Sequence, residues 1–209
     1  MIYLLRHGEI SGAGTKRYIG RTDVRLSRTG MDQARFWKSF LKGIVFDNVV
    51  SSPLIRARET AGIVSGLDQD HIRLEENFRE IDLGKWDGQS VSLIRDRYPD
   101  AWEARGRDLA HYRPPGGESF SDLADRVLPV FKSLAATRTG NILVVAHAGV
   151  NRVILSGLLG KDLDDLLSIP QGYGALNILR TPVLSILRLN LLPGYVPEQP
   201  ALMLYEIGS

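Results

Sequence analysis

The chain has no cysteine among its 209 residues. Disulfides, cysteine-ligated zinc, iron–sulfur clusters and thiol catalysis are therefore excluded. It also lacks a surplus of charge of either sign. The 26 Lys and Arg against 24 Asp and Glu leave a net +2, too little for a nucleic-acid protein that works by bulk charge. No stretch approaches the roughly 18 consecutive apolar residues that span a bilayer. Met1-Ile-Tyr-Leu-Leu5 is apolar but stops at Arg6-His7, too short for the core of a signal peptide. What is present, 44% hydrophobic and 24% charged residues, is the mix of a globular protein that buries a sizeable core. A cytoplasmic enzyme is the default reading, with no nucleic-acid or membrane partner expected and an oligomeric state, monomer or homodimer, left open.

The chain shows no internal repeat, low-complexity tract or linker, so a single domain over residues 1–209 is expected. Residues 1–6 read as a buried strand that runs into a loop, and residues 11–30, rich in Gly, Arg, Thr and Ser, as loop. A helix is expected from about Ser27 to Leu41, capped by Ser27 or Thr29, with Ala34, Trp37 and Leu41 on one face. Phe46–Val50 reads as a second strand closed by Ser51-Ser52-Pro53, and Pro53 can open the next helix, with Ile55, Thr60, Ile63 and Val64 in it. Ile72–Leu74 is a short strand, residues 79–90 are irregular, and a helix follows near Val91–Tyr98. Pro114-Pro115-Gly116-Gly117 breaks the chain. Ser119-Phe-Ser-Asp122 has capping-box spacing ahead of a helix with Leu123, Val127, Phe131 and Leu134, in which Pro129 should kink the axis or cost a hydrogen bond. Asn141–Ala146 is the strongest buried strand, and a helix with Val150, Val153, Ile154 and Leu158 follows it. Ala175–Arg180 and Ser185–Leu191 read as paired late strands, while the Pro-rich and then apolar stretch from Pro193, including Leu202–Ile207, takes no assignment.

Strands alternating with helices predict an α/β fold, a three-layer α/β/α sandwich around a mostly parallel sheet. In such sheets ligands gather beyond the carboxyl ends of the strands. That rule selects Arg6-His7-Gly8, Ser51-Ser52 with its helix, and His147-Ala148-Gly149. Two of the four histidines thus follow buried strands directly, whereas His71 and His111 do not.

The residue pattern narrows the chemistry. A metal site needs at least three converging ligands, and only two histidines have that placement. No G-x-S-x-G elbow exists, since Ser156-Gly157 falls inside a helix. Gly14-Thr15-Lys16 has Thr where a phosphate-binding P-loop needs Gly, and Gly12-Ala-Gly14 lacks the third glycine of a dinucleotide fingerprint. A nucleophilic histidine remains. Imidazole attacks phosphorus at neutral pH without first losing a proton, and the phosphoramidate it forms is labile. Such a site needs guanidinium groups on the phosphoryl oxygens and an acid for the leaving oxygen. Arg6 adjoins His7, Arg56 lies near the start of a helix at a strand end, and Glu80 in Arg79-Glu-Ile-Asp82 is the candidate acid.

Four segments in order resemble one family. Leu5-Arg-His-Gly-Glu9, Ser51-Ser-Pro-Leu-Ile-Arg56-Ala-Arg-Glu-Thr60-Ala61, Arg79-Glu-Ile-Asp-Leu-Gly84-Lys-Trp86-Asp-Gly88 and Val144-Val-Ala-His147-Ala-Gly149-Val are similar to the motifs of the histidine phosphatase, or phosphoglycerate-mutase-like, superfamily. Pro115-Gly-Gly-Glu118-Ser119 is typical of its phosphatase members. The resemblance implies that His7 becomes a phosphohistidine, that Arg6 and Arg56 hold the phosphoryl oxygens, and that His147 hydrogen-bonds the same group. It implies that Glu80 protonates the leaving alcohol and then takes a proton from water. Gly8, Gly20 and the amide of Ala148 would line the phosphate site, and neither metal nor cofactor is implied. Glu9 is expected to order the histidine loop, Trp86 to pack, and Arg58 and His111 to be solvated. Arg21, Arg113 and Glu118 are further candidates for substrate contact.

The resemblance implies hydrolysis of a small-molecule phosphomonoester. Mutases of the family are generally longer and carry a Tyr-Gly pair shortly after the catalytic Glu, where this chain has Ile81-Asp-Leu-Gly-Lys-Trp-Asp-Gly88. A mutase-type transfer and a non-catalytic binding protein are the alternatives. The stretches Arg6–Ile10, Tyr18–Asp23 and Leu26-Ser27 are similar to the alpha-ribazole phosphatase branch and to broad-specificity phosphatases. Ile10 and Ala13 stand where many members have polar residues, and the region from Gln171 onward matches no family pattern.

Overall fold

A computed structural model of the chain describes residues 1–14, 16–137, 139–181 and 183–194. The strands are β1 (Ile2–Arg6), β2 (Asn48–Ser51), β3 (Arg73–Leu74), β4 (Ile142–Ala146), β5 (Leu176–Arg180) and β6 (Ser185–Leu191). They form one sheet in the order β3-β2-β4-β1-β5-β6. β3, β2, β4 and β1 pair in parallel. β5 runs antiparallel to both β1 and β6, so β5 alone runs against the rest and the sheet is mostly parallel, as expected.

The helices are α1 (Arg28–Phe40), α2 (Ile55–Ser65), α3 (Val91–Arg97), α4 (Pro99–Arg107), α5 (Phe120–Thr137) and α6 (Ala148–Leu159). Strand alternation shows how they layer. Ile2, Leu4, Ile142, Val144 and Ala146 pack with the apolar faces of α5 and α6 on one side of the sheet. Tyr3, Leu5, Leu143 and Val145 pack with α1 and α2 on the other. Nearly every central-strand residue is therefore buried, which is why Ile142–Ala146 reads as a continuous apolar run.

Local signals place the ends. Ser27 caps α1 by accepting from the Gly30 amide. Ser119 and Asp122 form a reciprocal capping box ahead of α5, each accepting from the other's amide. α5 runs continuously through Pro129. Three expectations are corrected. The second strand starts at Asn48, not Phe46, because the Asp47 amide bonds to the Asn141 carbonyl ahead of the ladder and its carboxylate caps the Asn141 amide. α2 starts at Ile55, not Pro53, and its first amides are met by Ser52 Oγ and Asp23 Oδ1. α4 was not anticipated; Pro99 opens it, but none of its residues is buried, so it carries no strong apolar stripe. Leu202–Ile207 lies outside the described residues. No helix of the described residues is long and apolar enough to cross a membrane.

Candidate active site

Three strand ends come level at the centre of the sheet. In register, Arg6 pairs with Ala146 and Ser51 with Val145. The next residues, His7, Ser52 and His147, therefore leave the sheet side by side.

His7 is 4% exposed. Its Nδ1 lies 2.7 Å from the Gly8 carbonyl oxygen. A carbonyl only accepts, so the network assigns the ring proton to Nδ1. Nε2 then carries the lone pair, and Arg56 Nε donates to it at 3.3 Å. Burial, reinforced by Arg56 and Arg6, holds the imidazole well below the usual histidine range, so His7 is neutral at pH 7. Gly8 donates its amide to Thr60 Oγ1, and any side chain at Gly8 would strike the Gly30 backbone.

Arg56 is 1% exposed and anchored through Nη1 to the Thr22 carbonyl and Nη2 to that of Gly20, at 2.9 and 2.6 Å. Of its five N–H donors, that leaves up to two for a ligand. Gly20 thus enters the site by holding Arg56; its own amide donates to Asp87 Oδ1 at 2.9 Å. Asp87 also gathers the amides of Arg21 and Thr22.

The rings of His7 and His147 stand 5.1 Å apart. His147 Nε2 is 2.7 Å from Ser52 Oγ. That hydroxyl also accepts from the Leu54 amide; when it gives its own proton to Nε2, His147 carries the ring proton on Nδ1. Nδ1 is buried without a partner, as is Arg6 Nε. An unmet buried polar group costs about 1–3 kcal/mol; an oxyanion would satisfy Arg6 Nε, and His147 Nδ1 in the tautomer that carries its proton there. Burial and the neighbouring Arg56 push the His147 pKa well down. Ala148 opens α6, so its amide has no partner within the helix and adds a further donor at a helix N-terminus.

Glu80 is 8% exposed. Its Oε1 accepts from the Ile81 amide at 3.0 Å and its Oε2 from the Gly149 amide at 3.1 Å. The carboxylate is thereby fixed to the first turn of α6, beside His147.

Arg6 is held from the far end of the chain. Its Nη1 donates to the Gln171 carbonyl at 2.6 Å, and its guanidinium lies 4.0 Å from the centre of the Tyr173 ring. Burial lowers its pKa to about 10, which leaves it charged. The backbone of residues 174–175 bonds to His7 and Arg6 as well. Beneath this segment the amides of Gln171, Asn177 and Asn151 bond to one another, and Asn177 reaches the Leu4 carbonyl of β1 and the Asn190 amide of β6. This network ties the segment that holds Arg6 to the central strand β1 and to the edge strand β6.

The structure thus brings together all five residues expected to do chemistry: His7, Arg6, Arg56, His147 and Glu80. Glu9 accepts from Ser27 Oγ and orders the loop, and Trp86 is packed at 2% exposure. Arg58 reaches Gln69, and His111 pairs with Asp108 on the surface. The three further candidates for substrate contact are engaged elsewhere. Arg113 forms a fork with Asp122, and Arg21 bridges Asp82 and Glu118. Glu118 also receives Arg126 and the Asp82 amide, which makes it a brace for the loop that carries Glu80. Sequence reasoning missed Ser52 as the partner of His147, the Gln171–Tyr173 support of Arg6, and Arg152. Arg152 lies one turn beyond Gly149, and its Nε donates to the Ile169 carbonyl at 2.9 Å. Beside Tyr173 a cleft of about 1030 Å³ opens, flanked by Arg152 and by the loop from Ile10 to Arg17.

A buried histidine pair between two arginines, with a carboxylate bonded to the adjacent helix start, is an arrangement able to receive a phosphoryl group on an α/β sheet. The sequence profile of the histidine phosphatase superfamily (branch 1) matches residues 2–182, and the chain belongs to this superfamily. It is 31% identical over 172 residues to glucosyl-3-phosphoglycerate phosphatase of Mycolicibacterium vanbaalenii, covering 78% of this chain and 76% of that one. It is 34% identical over 181 residues to a 2,3-bisphosphoglycerate-dependent phosphoglycerate mutase of Methylobacterium radiotolerans, covering 79% and 84%. It is 33% identical over 191 residues to 6-phosphofructo-2-kinase/fructose-2,6-bisphosphatase of Gallus gallus, covering 90% of this chain but only 37% of that longer protein. Among solved structures, the alpha-ribazole phosphatase of Shigella flexneri superposes with a TM-score of 0.80 at 25% identity, covering 91% of this chain and 96% of that one.

Proposed function

We propose that this protein is a metal-independent phosphomonoester hydrolase that acts on a small-molecule phosphate through a phosphohistidine. The observation that carries the reading is the orientation of His7: Nδ1 is tied to the Gly8 carbonyl, so the lone pair of Nε2 faces the Arg56 guanidinium. Arg6, Arg56 and His147 supply donors to the phosphoryl oxygens. Nε2 of His7 attacks phosphorus in line, the P–O bond to the alcohol breaks, and Glu80 in its acid form gives its proton to the leaving oxygen. Glu80, now a carboxylate, takes a proton from water. That water attacks the phosphohistidine, the P–N bond breaks, and phosphate leaves with His7 restored. Positive side chains do the work a metal ion would otherwise do on the oxygens.

The test is hydrolysis of p-nitrophenyl phosphate in excess EDTA by the wild type and by His7→Ala. Turnover that survives EDTA and disappears in the variant supports the reading, as does acid-labile, base-stable labelling of the wild type alone. Loss of activity in EDTA, or full activity in His7→Ala, refutes it. The likeness to a mutase keeps phosphoryl transfer as the second reading. Conversion of 3-phosphoglycerate in the presence of 2,3-bisphosphoglycerate would establish it.

A further inference from the structure

The cleft lined by Tyr173, whose ring lies 5.7 Å from that of His7, has a composition that says what the alcohol part of the substrate must offer. Its apolar wall includes Ile10, Ala13, Ile19, Val24, Val91 and Leu167. Ile10 and Ala13 stand where the family pattern has polar residues. Ser11, Thr22 and Tyr173 are the uncharged polar side chains of the lining, so hydroxyls of a sugar or polyol lying along Ile10, Ile19 and Val91 would lose water without gaining partners there, at about 1–3 kcal/mol each. The charged side chains on the lining are Lys16, Arg17 and Arg152, and no carboxylate lines it among the described residues. Arg152 is the inner cation, held to the Ile169 carbonyl near Glu80 and Arg6. Lys16 and Arg17 are exposed on the outer wall.

That outer wall is fixed. The Val91 amide donates to the Lys16 carbonyl, Tyr18 to Gln89, and Gly88 to Tyr18. Arg17 Nη1 adds a bond to the Gly88 carbonyl at 3.0 Å. The two cations are therefore carried on a stitched backbone and not on a free loop. The cleft is also large: about 1030 Å³ sits at the upper end of small-molecule pockets, far more than a three-carbon phosphate fills.

We propose that the substrate is a phosphomonoester with a bulky apolar body and a second negative group, carboxylate or phosphate, and that Lys16 and Arg17 receive that second group. The proposal rests on the hydrolase reading for which end of the molecule reacts. The apolar body lies along Ile10, Ile19 and Val91, and the phosphoryl group lies on His7. Neutral sugar and polyol phosphates are poor substrates.

The experiment compares the phosphate ester of 3-(4-hydroxyphenyl)propanoic acid with that of its methyl ester and with glucose 6-phosphate. In low salt the acid should exceed its methyl ester in kcat/KM by about tenfold, the scale of two surface ion pairs, and glucose 6-phosphate should fall below both. The preference should shrink at about 0.5 M salt. In Lys16→Gln/Arg17→Gln, which keeps side-chain length, the acid-to-ester ratio should fall towards one. Equal kcat/KM for acid and ester in the wild type, or glucose 6-phosphate as the best of the three, overturns the proposal. Calorimetric binding of the matching phosphonates, which no phosphatase cleaves, reads the same preference without turnover. A protein that hydrolyses nothing yet binds the acid phosphonate about tenfold more tightly than its ester keeps the subsite and loses the hydrolase reading. Hydrolysis of p-nitrophenyl phosphate without any acid preference does the reverse.

Discussion

The amide of Gly149 donates to Glu80 Oε2 at 3.1 Å, and a Cβ at position 149 would overlap Oε1 of the same carboxylate. The proposed acid is thus seated on a backbone that has room for no side chain. Gly149→Ala should displace Glu80 and lower kcat about a hundredfold, the usual effect of misplacing a catalytic group by about an ångström. Ala is the better helix former, so circular dichroism should show α6 retained. Unchanged turnover in a folded Gly149→Ala protein would show that Glu80 is not held for catalysis.

Glu80→Gln separates the two proton transfers. With an alkyl phosphate, whose leaving oxygen needs a proton, kcat should fall by about 10²–10⁴. With 2,4-dinitrophenyl phosphate the first step should be nearly spared and the second slowed, so that a burst of dinitrophenol precedes a slow steady state. An equal loss on both substrates, without a burst, would remove Glu80 from the acid–base role.

The two buried histidines make stability depend on pH. Burial, with Arg56 and Arg6 nearby, depresses both pKa values below the unfolded value of about 6.5. The unfolded chain therefore binds protons that the folded chain refuses, and stability falls as pH drops below about 6.5. The loss approaches 1.4 kcal/mol per pH unit for each histidine and stops once the folded-state pKa is passed. Urea unfolding at pH 7.5 and pH 5.5 should show this loss in the wild type and a smaller one in His147→Gln. The same depression keeps His7 neutral, so the acid limb of kcat/KM attributable to it should lie below pH 6.5.

Tyr173 acts through its ring, not its hydroxyl, because its ring centre lies 4.0 Å from the Arg6 guanidinium. Tyr173→Phe should leave KM within about twofold, whereas Tyr173→Ala should raise it about three- to tenfold, the value of a partly desolvated cation–π contact. Equal effects of the two variants would point to the hydroxyl instead.

Much of this could be read in advance where the cause is local. The run Ile142–Ala146 is apolar on both faces, so it had to be a central strand of a covered sheet. Ser27 and the Ser119–Asp122 pair announce helix starts through their own side chains. His7 and His147 were legible because each follows such a strand directly. α4 escaped because it buries no residue and so leaves no strong periodic signal. Arg113 and Arg21 looked available in sequence, but their carboxylate partners lie nine residues away in one case and 97 in the other.

By itself, then, the amino-acid sequence determined the layered α/β class and which histidines, arginines and carboxylate to look for, because strand burial and short motifs depend on near neighbours. Tertiary structure alone decided which nitrogen of His7 is left with its lone pair free of the backbone, that Ser52 meets His147, and that Gln171, 165 residues away, holds Arg6 with Tyr173 beside it. It also decided that Lys16, Arg17 and Arg152 face one cleft. Those facts depend on distances of a few ångströms between segments remote in the chain, and hydrogen bonds and charges act on that distance and not on sequence separation.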